Sequence, residues 1–263
     1  MADVHALSVI HPRAQLAADV RVGPFCWVGP DVTLGEGVVL DSHVRIDGHT
    51  TLGARVRVHA GAVLGGPPQD LKFRGERTSL TIGEDTVIRE CATANLASEE
   101  GGRTSIGANC LIMAYAHVAH NTTVGDRVIL ANGVQLAGYV TIEDWAIVGG
   151  LTPVHQFVRV GAHSMVGGGC RVPQDVAPYT RAAGQPLKPI GLNAIGLARR
   201  GFSAELIAEL KQAYRLLLRS GLPLEEALQR LAALADPLVD EMVAFVRGSK
   251  RGIAHAHRGT DEA

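Results

Sequence analysis

The chain has 263 residues, enough to bury a substantial hydrophobic core in one large domain or two smaller ones. Its net charge of −1 lacks the broad basic footprint of a nucleic-acid-binding protein, and no uninterrupted apolar stretch is long enough to cross a membrane. Aromatic residues make up only 4% of the chain, so the core is expected to consist of Val, Leu, Ile and Ala. Four widely separated cysteines and the lack of a signal-peptide pattern at Met1 predict a cytoplasmic protein with reduced thiols.

An aliphatic residue recurs at every sixth position through most of the chain up to Val172. Of 25 such positions, 24 are Ile, Leu or Val, and Ala94 is the exception. The next position is often glycine, and the fifth is usually small or β-branched. A period of six matches neither an α-helix nor a simple strand alternation. The positions are Ile10, Leu16, Val22, Val28, Leu34, Leu40, Ile46, Leu52, Val58, Leu64, Ile82, Ile88, Ala94, Ile106, Ile112, Val118, Val124, Leu130, Leu136, Ile142, Val148, Val154, Val160, Val166 and Val172.

This period is typical of a parallel β-helix built from hexapeptide repeats, in which each hexad forms one short strand and one turn. The aliphatic residue points inward, and the small fifth residue packs beside it. Three hexads form one coil, and successive coils stack about 4.8 Å apart. Glycine is expected at turns that require a positive φ. The sequence therefore predicts an all-β solenoid over residues 1–190.

Two segments, residues 65–81 and 95–105, interrupt the hexads without changing their phase. A solenoid expels extra residues as loops, often on its functional face. Both segments are therefore predicted to be loop insertions.

After Val172 several prolines indicate a linker, and the period then becomes helical. Ser203 is a plausible N-cap for a helix that ends near Gly221, and further helices are predicted at 223–234 and 237–246. Residues 191–248 are thus expected to form a small α-helical C-terminal domain, and residues 249–263 a disordered tail.

The densest polar group of the solenoid lies around His120. Each coil is three hexads long, so a residue stacks on the residue 18 positions later. This stacking places His120 next to Gly138, which in turn stacks on Gln156. His155 lies at the same corner, and His117 lies half a hexad away. A neutral imidazole can remove a proton from a hydroxyl, and a glycine N–H can donate to a developing oxyanion. Acyl transfer to an alcohol needs these two groups.

Four motifs together resemble the UDP-N-acetylglucosamine acyltransferase family, whose members start lipid A biosynthesis in Gram-negative bacteria. The resemblance spans nearly the whole chain. Hexads alone are shared with many acyltransferases and acetyltransferases, whereas the four motifs are more specific in combination. They are Gln-Asp-Leu-Lys at 69–72, Ala-His-Val-Ala-His at 116–120, Val-His-Gln-Phe at 154–157 and Arg-Arg-Gly-Phe at 199–202.

The resemblance implies a left-handed β-helix and a homotrimer with three sites in the clefts between protomers. The family transfers a (3R)-3-hydroxyacyl group from acyl carrier protein to the 3-position of the nucleotide sugar, without a metal or cofactor. By the same resemblance His120 is the general base, the Gly138 amide is the oxyanion donor, and Gly168 lies where the acyl groove ends. The other implied substrate contacts are Gln69, Asp70, Lys72, Asn95, His117, Tyr139, His155, Gln156, Asn193, Arg199 and Arg200.

The chain departs from the family pattern at residues 95–98, Asn121, Tyr139 and Ile195, which leaves a 3-amino sugar as an alternative acceptor. Three other functions stay open: an acetyl-CoA-dependent sugar acetyltransferase, a zinc carbonic anhydrase on the same solenoid, and a purely structural trimer. Comparing acetyl-CoA with acyl carrier protein as the donor tests the first function. Metal analysis of the purified protein tests the second. A structural trimer leaves the His117 and His120 pair unexplained.

Overall fold

The computed structural model describes residues 1–254, and its strands follow the period of six. Most strands are very short, because each hexad supplies one strand and one turn. The strands are β1 Asp3–Val4, β2 Val9–Ile10, β3 Gln15–Leu16, β4 Arg21–Val22, β5 Trp27–Val28, β6 Thr33–Leu34, β7 Val39–Leu40, β8 Arg45–Ile46, β9 His49–Leu52, β10 Arg57–Val58, β11 Val63–Gly66, β12 Ser79–Ile82, β13 Val87–Ile88, β14 Thr93–Asn95, β15 Arg103–Ile106, β16 Leu111–Ile112, β17 His117–Val118, β18 Thr123–Val124, β19 Ile129–Leu130, β20 Gln135–Leu136, β21 Thr141–Ile142, β22 Ile147–Val148, β23 Pro153–Val154, β24 Arg159–Val160, β25 Met165–Val166, β26 Thr180–Ala183 and β27 Lys188–Leu192.

Each strand of the solenoid pairs with the strand three places later in the chain. This pairing gives three parallel sheets, which form the faces of a prism. The first sheet runs from β1 through β4 and β7 to β25, the second from β2 to β23, and the third from β3 to β24. In the regular coils, Leu130 pairs with Val148, the inward residue three hexads later. Across the two insertions, Ala94 pairs with Leu64, five hexad lengths earlier, and with Val118, four hexad lengths later. The first loop therefore lengthens its coil by two hexads and the second loop by one.

The core of the prism consists of the inward aliphatic residues of the hexads. Val28, Leu40 and Ile46 are each exposed by 1% or less, and the same holds for most other positions of the repeat. Cys26 and Cys110, at the small fifth position, are also buried and donate their thiols to backbone carbonyls. The core expected from the hexad pattern is confirmed.

The glycine after the inward residue has a different role from the one expected. Gly53 and Gly125 do not adopt a positive φ, but a Cβ at Gly53 would come within 2.7 Å of the Glu84 nitrogen on the next coil. Positive φ is instead adopted mostly by larger residues two positions after the glycine position, such as Tyr139 at 60° and Phe157 at 66°. Glycine is needed here because neighbouring coils approach closely.

Beyond Val172 the chain caps the solenoid before it becomes helical. The segment expected to be a linker contains β26 and β27, which pair antiparallel and extend the first sheet. The helices are α1 Ala194–Arg199, α2 Ala204–Leu218, α3 Leu224–Ala232 and α4 Pro237–Arg247.

The helices pack around a second hydrophobic core that includes Tyr179, Leu210 and Val243. Ser203 caps α2 as predicted, because its hydroxyl accepts the Leu206 N–H at 3.2 Å. Asp236 caps α4 in the same way.

The chain remains packed past residue 249, where the tail was expected to begin. Ser249 donates its hydroxyl to Asp175 at 2.7 Å, and the Ala254 N–H donates to the Asp175 carbonyl at 2.7 Å. Ile253 and Ala254 are buried. The predicted tail therefore begins too early in the sequence, because residues 249–254 dock onto the end of the solenoid. The rest of that prediction, 255–263, lies outside the described residues.

Within residues 1–254 no helix is long and apolar enough to span a membrane. The same residues contain no group of three or more His, Cys, Asp or Glu side chains placed to hold a metal ion.

Candidate active site

His120 lies at the corner between the second and third sheets, directly after β17. The residue is only 9% exposed, and its Nδ1 is 2.9 Å from Asn121 Oδ1. The ring of Tyr139, from the next coil, meets the imidazole edge-on with centroids 5.4 Å apart. The histidine is thus held in one place by its own coil and by the coil above.

Gly138 lies against the His120 ring, as the stacking of successive coils predicts. A Cβ at Gly138 would lie 2.5 Å from His120 Cε1 and 2.6 Å from Nε2. Among the described residues no acceptor takes the Gly138 N–H. The position therefore provides both an unused backbone donor and the space that the imidazole occupies.

We expect Gly138→Ala to lose at least tenfold in kcat, because the added methyl must displace the imidazole and His120 supplies a ~10²–10⁴-fold effect when correctly placed. Steady-state kinetics on the purified variant test this. Gly66→Ala is the matched control, since a Cβ there meets nothing closer than 3.7 Å. Equal activity of both variants would show that the close approach at Gly138 has no catalytic role.

His117 projects outward from β17, half-buried, and its Nδ1 lies 2.7 Å from Thr93 Oγ1. Burial lowers the pKa of His117, and repulsion from a charged His120 lowers it further. His117 is therefore neutral at pH 7 and can donate or accept a hydrogen bond near His120.

Tyr139 connects the corner to the second loop. Its ring stacks on Phe157 at 5.0 Å, and its hydroxyl donates to Glu99 Oε2 at 2.8 Å. The hydrogen bond with Ser98 lowers the pKa of Tyr139, but desolvation, the bond to Glu99 and the charges of Glu99 and Asp70 raise it by more. Tyr139 thus remains a neutral hydroxyl at physiological pH.

The first loop places its polar residues near this corner. Gln69 and Lys72 are exposed, and Asp70 Oδ1 accepts the Lys72 N–H at 2.9 Å in a tight turn. The charge of Asp70 helps to raise the pKa of Tyr139, so the carboxylate lies within electrostatic range of that hydroxyl. Gln69 and Lys72 are free to contact a ligand.

Asn95 was expected to contact substrate, but its side chain is 8% exposed. Its Nδ2 donates to the Pro67 carbonyl at 3.0 Å, and its buried Oδ1 has no partner among the described residues. In this chain Asn95 joins the bases of the two loops.

The remaining predicted residues lie farther along the chain. Exposed His155 and half-buried Gln156 follow β23 at the same corner as His120, two coils on. Gly168 is exposed at the corner between the first and second sheets, directly behind Gly150, whose carbonyl would be 3.2 Å from a Cβ at Gly168.

Three C-terminal residues do not touch His120 within the described chain. Asn193 is buried and donates to the His163 carbonyl at 2.8 Å, while Arg199 is exposed. Arg200 donates to the Trp145 carbonyl at 2.7 Å and lies 3.2 Å from His163 Nδ1. Burial lowers the pKa of His163 to about 4, and the Arg200 charge contributes, so the imidazole accepts from Arg200.

Sequence reasoning missed the contribution of the second loop. Ser98 and Glu99 were predicted only as part of the loop insertion at 95–105, yet Ser98 contacts Asn121 and Glu99 contacts Tyr139. No periodicity predicts this, because loop residues fall outside the repeat. The one available signal was that the insertion precedes the histidine coil.

Comparisons with known proteins agree with this architecture. Residues 103–138 match the bacterial transferase hexapeptide family (six repeats), and residues 175–254 match the second domain of UDP-N-acetylglucosamine O-acyltransferase. The chain is 50% identical over 256 residues to the acyl-(acyl-carrier-protein)–UDP-N-acetylglucosamine O-acyltransferase of Thiobacillus denitrificans, covering 96% of this chain and 99% of the relative. It is 48% identical over 260 residues to the enzyme of the same name from Burkholderia lata, with the same coverage.

Solved structures give the same result. The UDP-N-acetylglucosamine acyltransferase of Francisella novicida superposes with a TM-score of 0.94 at 37% identity, covering 97% of this chain and 95% of that one. The enzyme of Bacteroides fragilis superposes with a TM-score of 0.93 at 38% identity, covering 96% of this chain and 100% of that one. The predicted fold class, a left-handed parallel β-helix followed by a small helical domain, is confirmed. This chain belongs to the UDP-N-acetylglucosamine O-acyltransferase family.

Proposed function

We propose that this protein transfers a (3R)-3-hydroxyacyl group from acyl carrier protein to the 3-hydroxyl of UDP-N-acetylglucosamine, the first step of lipid A biosynthesis. Full-length similarity to enzymes of that name supports the reaction. The observation in this chain that carries the proposal is the contact between the His120 imidazole and the side-chain-free Gly138.

The chemistry follows from these two residues. Neutral His120 removes the proton of the sugar 3-hydroxyl as that oxygen attacks the thioester carbonyl carbon. The carbonyl oxygen becomes an oxyanion, which accepts the free N–H of Gly138. When the carbon–sulfur bond breaks, the imidazolium donates this proton to the departing thiolate sulfur of the carrier, which leaves as a thiol, and the ester is complete.

The substrate contacts are assigned by the resemblance, and Gln69, Lys72, His155 and Arg199 are exposed. On the first loop Gln69, Asp70 and Lys72 contact the sugar and the acyl donor. His117, Tyr139, His155 and Gln156 line the cleft, and Asn95 joins the bases of the two loops. Asn193, Arg199 and Arg200 contact the acyl chain, the uridine and the diphosphate, where an arginine makes charge-assisted hydrogen bonds.

We propose that the active form is a homotrimer. The outward positions of the first sheet are aliphatic over several coils, and these side chains stay partly exposed in one protomer. The outward positions of the third sheet, in contrast, are mostly threonine. An aliphatic face on an otherwise polar prism favours burial against another copy. Assembly would also explain why Arg199 and Arg200 lie apart from His120 in one chain. The aliphatic row is Val87, Leu111, Ile129, Ile147 and Met165, and Arg57 separates it from Val39.

We expect Ile129→Glu to prevent trimer formation and to abolish activity, because a carboxylate buried between aliphatic faces is strongly unfavourable. The sedimentation coefficient, measured by sedimentation velocity, and the turnover rate should both fall. Thr123→Glu, on the outward face of the third sheet, is the control that keeps both. A monomeric Ile129→Glu protein with full turnover would place the complete site in one chain.

The described residues contain four free cysteines and no disulfide. We place the enzyme in the cytosol, where thiols stay reduced and acyl carrier protein is available.

Donor choice separates this function from acetyl transfer. With UDP-N-acetylglucosamine as acceptor, 3-hydroxyacyl carrier protein should support turnover and acetyl-CoA should not. The opposite preference would make the protein a sugar acetyltransferase.

A further inference from the structure

The proton on the His120 ring is placed by atoms outside the histidine. Asn121 Oδ1 lies 2.9 Å from His120 Nδ1 and also accepts the Ser98 main-chain N–H at 3.0 Å. A main-chain N–H can only donate, so the Asn121 atom that it meets is the carbonyl oxygen and not the NH₂ group. A carbonyl oxygen can only accept, so Nδ1 of His120 carries the proton and Nε2 carries the lone pair.

The opposite orientation of the Asn121 amide would inactivate the base. The NH₂ group would then face Nδ1, which would have to accept, and the ring proton would move to Nε2. Nε2 is the nitrogen close to Gly138, where the oxyanion donor lies. A proton on Nε2 leaves no lone pair at the position where the acceptor hydroxyl must be deprotonated.

The loop that carries Ser98 is also held in place by Glu99, the residue after Ser98. Glu99 Oε2 accepts the Tyr139 hydroxyl at 2.8 Å and lies 3.0 Å from Ser98 Oγ. Ser98 Oγ is also 2.9 Å from Asn121 Oδ1. Tyr139 in turn stacks on Phe157 of the next coil, so the loop is tied to the rigid prism.

We propose that Ser98 is a positioning residue, whose main-chain N–H orients the Asn121 amide so that His120 keeps its proton on Nδ1 and presents Nε2 as the base. This proposal rests on the proposed function, in which His120 accepts the proton of the sugar hydroxyl.

The experiment compares variants that keep or remove this N–H. Ser98→Pro removes the N–H and the hydroxyl, and should lower kcat at least about tenfold with little change in KM, since an unsatisfied polar group is costly. Ser98→Ala keeps the N–H and should lose only about threefold, within the range of one hydrogen bond. Glu100→Ala, on the same loop but bonded to the Arg77 N–H, should behave as wild type.

Asn121→Asp provides the decisive test. Both carboxylate oxygens can accept the proton on Nδ1, so the side chain has no orientation that would move that proton to Nε2. The double variant Ser98→Pro/Asn121→Asp should recover the kcat of Asn121→Asp alone. In both, the acid limb of the kcat/KM profile should move to higher pH by about one unit or more, since a carboxylate beside Nδ1 stabilises the imidazolium. The other titratable groups around His120 are His117, Tyr139, Glu99 and Asp70, and they are the same in all variants.

NMR of protein labelled with ¹⁵N-histidine reports which ring nitrogen carries the proton, and it needs no turnover. The His120 signals are assigned as those that disappear in His120→Gln. Wild type should show the proton on Nδ1, and Ser98→Pro should shift it toward Nε2. Wild-type protein with the proton on Nε2, or a Ser98→Pro defect that Asn121→Asp does not rescue, would overturn the proposal. Failure of the proposed function is distinct, since an inactive wild type still reports its tautomer.

Discussion

His120→Ala is expected to lose ~10²–10⁴-fold in kcat, the contribution typical of a general base. The trimer and its Tm should stay near wild type, because within the described chain the imidazole makes a single side-chain hydrogen bond, to Asn121, and lies at a corner outside the aliphatic core. Turnover with UDP-N-acetylglucosamine and 3-hydroxyacyl carrier protein measures the effect.

The control is His59→Ala on an earlier coil, where the imidazole lies 3.9 Å from Asp41 and 3.8 Å from Glu90. That variant should keep its activity. If His120→Ala retains more than about a tenth of wild-type turnover, well short of the range for a general base, the base is another group. His117, with a lowered pKa and a place on the same strand end, is then the first candidate.

Gly168→Met is expected to shift the preferred donor to a chain about four carbons shorter. By resemblance, the acyl tail runs along the cleft and ends near Gly168, three coils beyond the His120 coil. Gly168 and Gly150 behind it have no side chains to end the groove, so by the same resemblance it should accept a long chain. Each buried methylene contributes ~0.8 kcal/mol, so excluding four carbons changes selectivity by orders of magnitude.

A graded series makes this test sharper. Gly168→Ala, Gly168→Leu and Gly168→Met should shorten the optimum progressively on a ladder of 3-hydroxyacyl donors, while KM for the nucleotide sugar stays constant. Gly168 does not need a positive φ, but a Cβ there would lie 3.2 Å from the Gly150 carbonyl oxygen, so each side chain requires a small shift between the two coils. An unchanged optimum in all three would make Gly168 a turn residue without a role in chain length.

The fold could be predicted from the sequence because a period of six has one physical explanation. An aliphatic residue at each sixth position, such as Leu130 and Leu136, must point inward if each hexad forms one strand and one turn. The packing between coils could not be predicted, because the role of Gly53 depends on how closely Glu84 approaches from the next coil. The docking of Ile253 on Asp175 likewise depends on a surface that forms only after folding.

The candidate site was predictable where it follows the repeat and not where it depends on loops. Stacking of one coil on the next places His120 against Gly138, which the structure reproduces. Ser98 and Glu99 lie in an insertion that has no register with the hexads, so their contacts with Asn121 and Tyr139 have no sequence signature. Arg200 was expected to contact substrate, and within one chain it is held by Trp145 and His163.

The proposed reaction of this protein is acyl transfer from a carrier protein to the 3-oxygen of the nucleotide sugar. The most direct test offers the purified enzyme UDP-N-acetylglucosamine and its 3-amino analogue together, with a mixed pool of 3-hydroxyacyl carrier proteins, and identifies the products by mass spectrometry. We predict a single class of product, UDP-N-acetylglucosamine esterified at its 3-oxygen with a 3-hydroxyacyl chain. Product formed only on the 3-amino analogue, or no acyl product from any carrier-bound donor, would contradict the assignment.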